Sequence, residues 1–282
     1  MKKVLILGSK GFIGKELVPL VEDCDYIVYE YDLVDGNDIR DKFKLDNLFN
    51  KEKFNYVINL AARSGVPMGE EHCREYFDTN VLGLKTLMEV AQKHGVEQFI
   101  HFSSSAVFAT SADKQSEIAE KKPTSVYGIT KLAGEQLLES SDLPYVIVRP
   151  FTVIGITGRK EMVLLKWTMQ TRKHEPVTFY GDGTSSRGYT YVGDLILGVV
   201  DILGSDIKRE DINLGGDQEI TLNELWDIFR AEYPGATREM LEMQDYDKKN
   251  SIADTKKAKK LLNWKPRGDI KKHIQTIITI PF

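Results

Sequence analysis

Tyr127 and Lys131 fall four residues apart in VYGITKLAGEQLL, and the serine run Ser103, Ser104, Ser105 closes an apolar stretch roughly twenty residues upstream. Residues at i and i+4 share a helix face, so the Lys131 ammonium is expected beside the Tyr127 phenol. There it would favour the ionised form relative to a free tyrosine of pKa about 10. A phenol tuned downward can act as a general base. A Tyr/Lys pair at this spacing also occurs by chance on many helix surfaces, so the elements around it decide its meaning.

Those elements are short apolar runs: VLIL (4–7), YIVYEY (26–31), YVINLA (56–61), FIHFSS (99–104) and YVIVRP (145–150), most of them separated by helix-like segments. Alternation of strand and helix predicts an α/β fold with a doubly wound parallel sheet, and the fully apolar runs suit strands buried on both faces. IRDKFKLDNLFNKEK (39–53) supplies an amphipathic helix after a turn at Asp35-Gly36, and residues 70–95 are long enough for a helix of several turns. Beyond Pro150 loops, short strands and helices alternate, including a capping-box signature at Thr221 and Glu224.

The first strand runs directly into GSKGFIGKEL, which places Gly8, Gly11 and Gly14 where strand must turn into helix, with Phe12 and Ile13 between them. Such glycines let backbone approach a pyrophosphate, whose charge meets the free amides and dipole of the helix N-terminus. Asp32 closes the second strand, where a carboxylate accepts hydrogen bonds from an adenosine ribose and repels a 2′-phosphate, favouring NAD over NADP. Glu30 and Asp35 are neighbouring alternatives for that role. Asp38 and Ile39 are candidates to meet the adenine, with helix capping the competing reading for Asp38. Residues 1–150 are therefore expected to form a Rossmann-type NAD-binding domain that carries the Ser/Tyr/Lys set. Residues 151–282 are expected to form mainly a smaller substrate-binding lobe, partly interwoven with the first.

Composition narrows the partners. A chain of 282 residues, 41% hydrophobic, can bury a large core, and a net charge of −4 argues against nucleic acid or an anionic membrane as the main partner. Cys24 and Cys73 show neither metal-ligand spacing nor the density of a disulfide scaffold, so reduced thiols and no metal site are expected. The apolar start ends at Leu7, and no run approaches the roughly 20 residues that span a bilayer, so the expected location is cytoplasmic. Ten lysines and arginines against two acids between residues 248 and 272 read as a solvated basic face.

The combination of GxxGxxG, a serine-ended strand and YxxxK resembles the extended short-chain dehydrogenase/reductase superfamily, in its NAD-dependent nucleotide-sugar epimerase/dehydratase branch. The resemblance implies that Tyr127 is the acid/base. It implies that Lys131 holds the nicotinamide ribose and lowers the tyrosine pKa, and that Ser104, within a register of one residue, shares the substrate hydroxyl proton. Members that eliminate water carry an acid just after this serine; here those positions hold Ser105 and Ala106. LAARSGV (60–66), RPFTVIGITGRKEM (149–162) and YGDGTSSRGYTYVGD (180–194) resemble 4-epimerases of UDP-sugars, UDP-glucuronate 4-epimerases above all. That likeness implies that Leu60, Ala61 and Ala62 line the cofactor, and that Ser105, Thr152 and Arg159 line the sugar. Arg187 would then grip the diphosphate. For Arg159 a solvated loop charge is the competing reading. Arg187-Gly188 stands where the family has Arg-Asp, Pro67 where it has an arginine, and EMQDYDKKN (242–250) shows no second diphosphate arginine.

The activity so implied is inversion at C4 of a nucleotide-linked sugar, probed against three alternatives: an NAD(P)H-dependent 4-keto-sugar reductase, a dehydratase or decarboxylase, and a non-catalytic NAD sensor. The short connection from the second strand to Asp38 resembles the reductases. The family further implies a homodimer built on helices at 74–93 and 124–140.

Overall fold

The computed structural model describes residues 1–244 and 246–280. Its first half alternates strands with helical segments: β1 (Lys3–Leu7), α1 (Phe12–Glu22), β2 (Ile27–Tyr31), α2 (Lys42–Glu52), β3 (Tyr56–Asn59), α3 (Val66–Glu71), α4 (Cys73–Phe77), α5 (Leu84–Lys93), β4 (Gln98–Phe102), α6 (Val126–Glu139) and β5 (Tyr145–Pro150). The second half holds β6 (Val153–Ile154), α7 (Val163–Arg172), β7 (Val177–Tyr180), β8 (Ser186–Gly188), β9 (Thr190–Tyr191), α8 (Val192–Ile202) and β10 (Glu210–Leu214). After these come β11 (Glu219–Thr221), α9 (Leu222–Glu232), β12 (Arg238–Leu241), β13 (Asn250–Ser251), α10 (Lys256–Leu262) and α11 (Ile270–Thr279).

Six parallel strands form the central sheet in the order β10-β5-β4-β3-β1-β2. Alternation along each strand sends successive side chains to opposite faces. Val4 and Ile6 of β1 pack with Leu17 and Val21 of α1 and Leu195 and Val199 of α8, whereas Leu5 and Leu7 pack with Leu45 and Phe49 of α2 and Leu87 of α5. Both faces are covered, which is why the strands read as unbroken apolar runs.

A break at residue 150 divides the chain in sequence but not in space, because α8 and β10 return to complete the sheet. Helix α10 packs with them, whereas α7, α9 and α11 with β7 and β11 surround a separate core in which Trp167 stacks on Phe179 at 6.0 Å and meets Trp226 edge-on at 5.8 Å. The capping box at α9 is formed reciprocally, with Glu224 N donating to Thr221 Oγ1 and Thr221 N to Glu224. The interval with room for a helix of several turns holds one: after the short α3, α4 runs through a π-helical stretch at Asp78–Gly83 directly into α5.

Candidate active site

One cavity of about 860 Å³ lies over the C-terminal ends of the sheet strands, where ligands bind in open α/β sheets. Gly8, Gly11, Phe12, Ile13, Gly14, Asp32, Asp38, Ile39, Leu60, Ala61 and Ala62 line one end of it. Ser104, Ser105, Tyr127, Lys131, Thr152, Arg159 and Arg187 line the rest. The glycine turn, the Ser/Tyr/Lys set and the residues expected around the sugar and diphosphate thus border the same space.

The glycine end has the features an anionic dinucleotide needs. Gly11 is the N-cap of α1 and offers no capping side chain, and the first turn holds no acid, so the leading amides of the helix are free for an anion. A Cβ on Gly14 would stand 2.4 Å from Gly8 O, so only glycine lets the turn fold this tightly against the helix. Of the three candidate carboxylates Asp32 is the one that lines the cavity, held by Lys10 N at 2.9 Å and Val34 N at 3.0 Å. Glu30 pairs with Lys10 instead, and Asp35 is exposed. Asp38 does not cap α2, a role taken by Asp41; it forms a forked ion pair with Arg40 at 2.6 to 3.0 Å.

Tyr127 sits in the first turn of α6, whose N-cap Ser125 accepts from Gly128 N. A Cβ on Gly128 would come within 2.5 Å of Ala106 O, so glycine brings the helix directly against the turn after β4 and delivers Tyr127 to the serines. The three serines separate by partner. Ser103 is buried and donates to Glu135 Oε1 at 2.5 Å, and Ser105 offers its carbonyl to Lys248. Ser104 accepts from Ala106 N at 3.1 Å and is the hydroxyl that favours the ionised form of the Tyr127 phenol. Tyr76 packs edge-on to Tyr127 at 6.3 Å and donates to Ser64 O and Gly65 O, fixing the loop whose Ser64 Oγ accepts from Arg159 Nη1 at 2.8 Å.

One electrostatic expectation is corrected. Burial pushes the Tyr127 phenol up, opposed by the Ser104 hydrogen bond and the Arg159 charge; Lys131 does not pull it down. The reason is geometric. Lys131 Nζ lies 6.0 Å from the ring centroid and donates to Phe102 O at 2.7 Å. Burial lowers this ammonium to about 8, with Glu135 opposing. His101 beneath it is driven well below its ordinary range, first by burial and then by the Lys131 charge.

The cavity wall also includes Lys10, Arg40, Arg63, Tyr246, Asp247, Lys248 and Ser251, none of which the sequence reading assigned to a site. Arg40 carries no motif, Arg63 lies within LAARSGV but was given no role, and Lys248 is hidden at the head of the basic run.

The NAD dependent epimerase/dehydratase family model matches residues 4–215, three-quarters of the chain. The chain belongs to that family. Among curated relatives of this epimerase/dehydratase chain, a UDP-glucuronate 4-epimerase of Thermodesulfobacterium geofontis is 33% identical over 97% of the chain and 94% of its own length. An uncharacterized UDP-glucose epimerase of Bacillus subtilis is 30% identical over 95% of the chain and 94% of its own length. The crystal structure of UDP-glucuronic acid 4-epimerase from Bacillus cereus in complex with UDP-glucuronic acid and NAD superposes with a TM-score of 0.90 at 28% identity, covering 98% of both chains.

Proposed function

We propose that this chain is an NAD-dependent 4-epimerase of a UDP-linked sugar, UDP-glucuronate being the leading candidate. The observation that carries the reading is the composition of the wall around Tyr127. Ser104 and Lys131 stand beside it, and the positions where an eliminating relative keeps an acid hold Ser105 and Ala106. Proton transfer at one hydroxyl is provided for; removal of water is not.

Bound NAD supplies the hydride acceptor and donor for the sugar C4. Gly8, Gly11, Gly14 and the α1 N-terminus would hold its pyrophosphate, Asp32 its adenosine ribose, and Lys131 its nicotinamide ribose. Asp38, Ile39, Leu60, Ala61 and Ala62 would complete that end. Tyr127 takes the proton from the C4 hydroxyl through the shared contact with Ser104 and returns it after the sugar has turned its other face. Arg187 anchors the diphosphate during the turn, and Ser105, Thr152 and Arg159 bound the sugar. Arg159 suits a sugar carboxylate because its planar fork can donate two parallel hydrogen bonds.

The sheet domain serves the cofactor and the C-terminal lobe mainly the substrate. The working form is a cytoplasmic homodimer paired through α4, α5, the π-helical stretch between them and α6, where Phe77, Leu82 and Ile129 are 38%, 60% and 45% exposed. Among the described residues no helix is long and apolar enough to cross a membrane.

Replacing Tyr127 by Phe tests the assignment. Turnover of the UDP-sugar should fall about 10²- to 10⁴-fold, with NAD binding by calorimetry unchanged. An unaltered rate would remove Tyr127 from the chemistry.

A further inference from the structure

Of the cavity-wall cations that the reading above leaves without a task, Lys10 pairs with Glu30, Arg40 with Asp38 and Arg63 with Glu75, which sets Lys248 apart. It leads the basic run, yet it does not join a solvated face: its side chain lines the cavity with Ser105, Arg187 and Ser251. Its Nζ donates to Ser105 O at 2.8 Å and to Phe108 O, both neutral backbone acceptors. Among the described residues no carboxylate forms an ion pair with it. An ammonium carries three N–H groups, so one donor remains beyond these two carbonyls.

Arg187 stands in the same wall and donates only to Ser186 O and Lys249 O. The two cations feel each other: burial first, and then the Arg187 charge, lower the Lys248 ammonium to about 8. Asp247, the nearest acid along the chain, is itself pushed up by burial, with Arg187 opposing. Two like charges drawn together in a partly desolvated wall are unfavourable until an anion arrives between them. Tying two carbonyls together does not require a charge; an amide would serve, without the cost of taking an ammonium out of water.

We propose that Lys248 is a substrate-binding residue whose ammonium meets an oxyanion of the UDP-sugar, between the catalytic serine turn and Arg187. The assignment rests on the UDP-sugar reading of this cavity. The stretch 242–250 offers no arginine, and Lys248 supplies the second positive charge there. The oxyanion is either a phosphate oxygen of the diphosphate or the carboxylate of a hexuronate.

Calorimetric titration of the NAD-loaded protein with UDP, UDP-glucose and UDP-glucuronate decides both questions. In Lys248→Gln, which keeps a donor for the two carbonyls but loses the charge, Kd for all three should rise by about tenfold if the partner is phosphate. A rise confined to UDP-glucuronate identifies the carboxylate. Lys248→Arg should restore affinity to within about threefold in either case. Lys248→Met is the second neutral variant, and should one of the two fail to fold, the other carries the test. Unchanged affinity in the neutral variants, with the wild type binding normally, overturns the proposal and leaves the function standing. Failure of the wild type to bind any of the three overturns the UDP-sugar reading and the proposal with it.

Discussion

Two lysines in the cavity, Lys131 and Lys248, have ammonium groups lowered by burial to about 8, whereas the Tyr127 phenol is held above its ordinary value. Each lysine is charged below its folded-state pKa and loses that charge as pH rises through it. If both charges serve substrate capture and turnover, and Tyr127 must be ionised to take the proton, kcat/KM should rise with pH to about 8 and fall above it with a limiting slope of about one on a logarithmic plot. Replacing Lys248 by Arg should remove that fall. A wild-type profile still rising at about pH 9.5 would contradict the need for either ammonium. The glycines, Asp32, Tyr127 and Lys131 were legible because each belongs to a spacing that backbone geometry enforces. Lys248 was not, since its partners are backbone carbonyls, which leave no trace in residue types.

Helix α6 is held to the sheet by buried charge as well as by apolar contact. Arg149 on β5 is fully buried and forks onto Glu135 at 2.7 and 2.9 Å, and it also reaches Asp211 on β10 at 2.7 Å. Ser103, next to Ser104, donates to the same carboxylate. Burial pushes Glu135 up, but Arg149, Ser103 and Lys121 together hold its carboxyl below the usual range. Its contribution to stability is therefore present above the unfolded carboxylate pKa, about 4.3, and is lost as pH falls through the folded value. Breaking the pair strands a buried charge, so Arg149→Met should lower unfolding free energy in urea by about 3–5 kcal/mol. The double variant Arg149→Met, Glu135→Leu should recover part of that loss. A single-variant loss below about 1 kcal/mol would mean that the pair does not hold the helix. Strands β1 to β5 were legible because burial on both faces leaves apolar runs. The π-helical stretch between α4 and α5 was not, because local hydrogen-bond register has no residue-type signature comparable to an apolar period.

At the scale of the whole molecule, the cavity joins a sheet that faces the glycine turn to a lobe that supplies Thr152, Arg159, Arg187 and Lys248. The return of α8 and β10 to the sheet ties the two parts by chain as well as by contact, so the cavity wall is continuous. That return was only partly legible, since INLGG reads as a strand without saying which sheet it joins. The proposed pairing through α4, α5 and α6 predicts a mass by light scattering of twice the 32.0 kDa chain, and a monomer in solution would contradict it. The central claim is inversion at C4 without net oxidation, and proton NMR of the NAD-loaded protein incubated with UDP-glucuronate, with no reductant added, tests it most directly. The account predicts that the C4 epimer appears and reaches a steady ratio with its precursor while NAD is neither consumed nor replenished. A substrate left unchanged, alongside stoichiometric consumption of NADH or NADPH when a 4-keto sugar nucleotide is supplied instead, would contradict it and assign the site to a reductase.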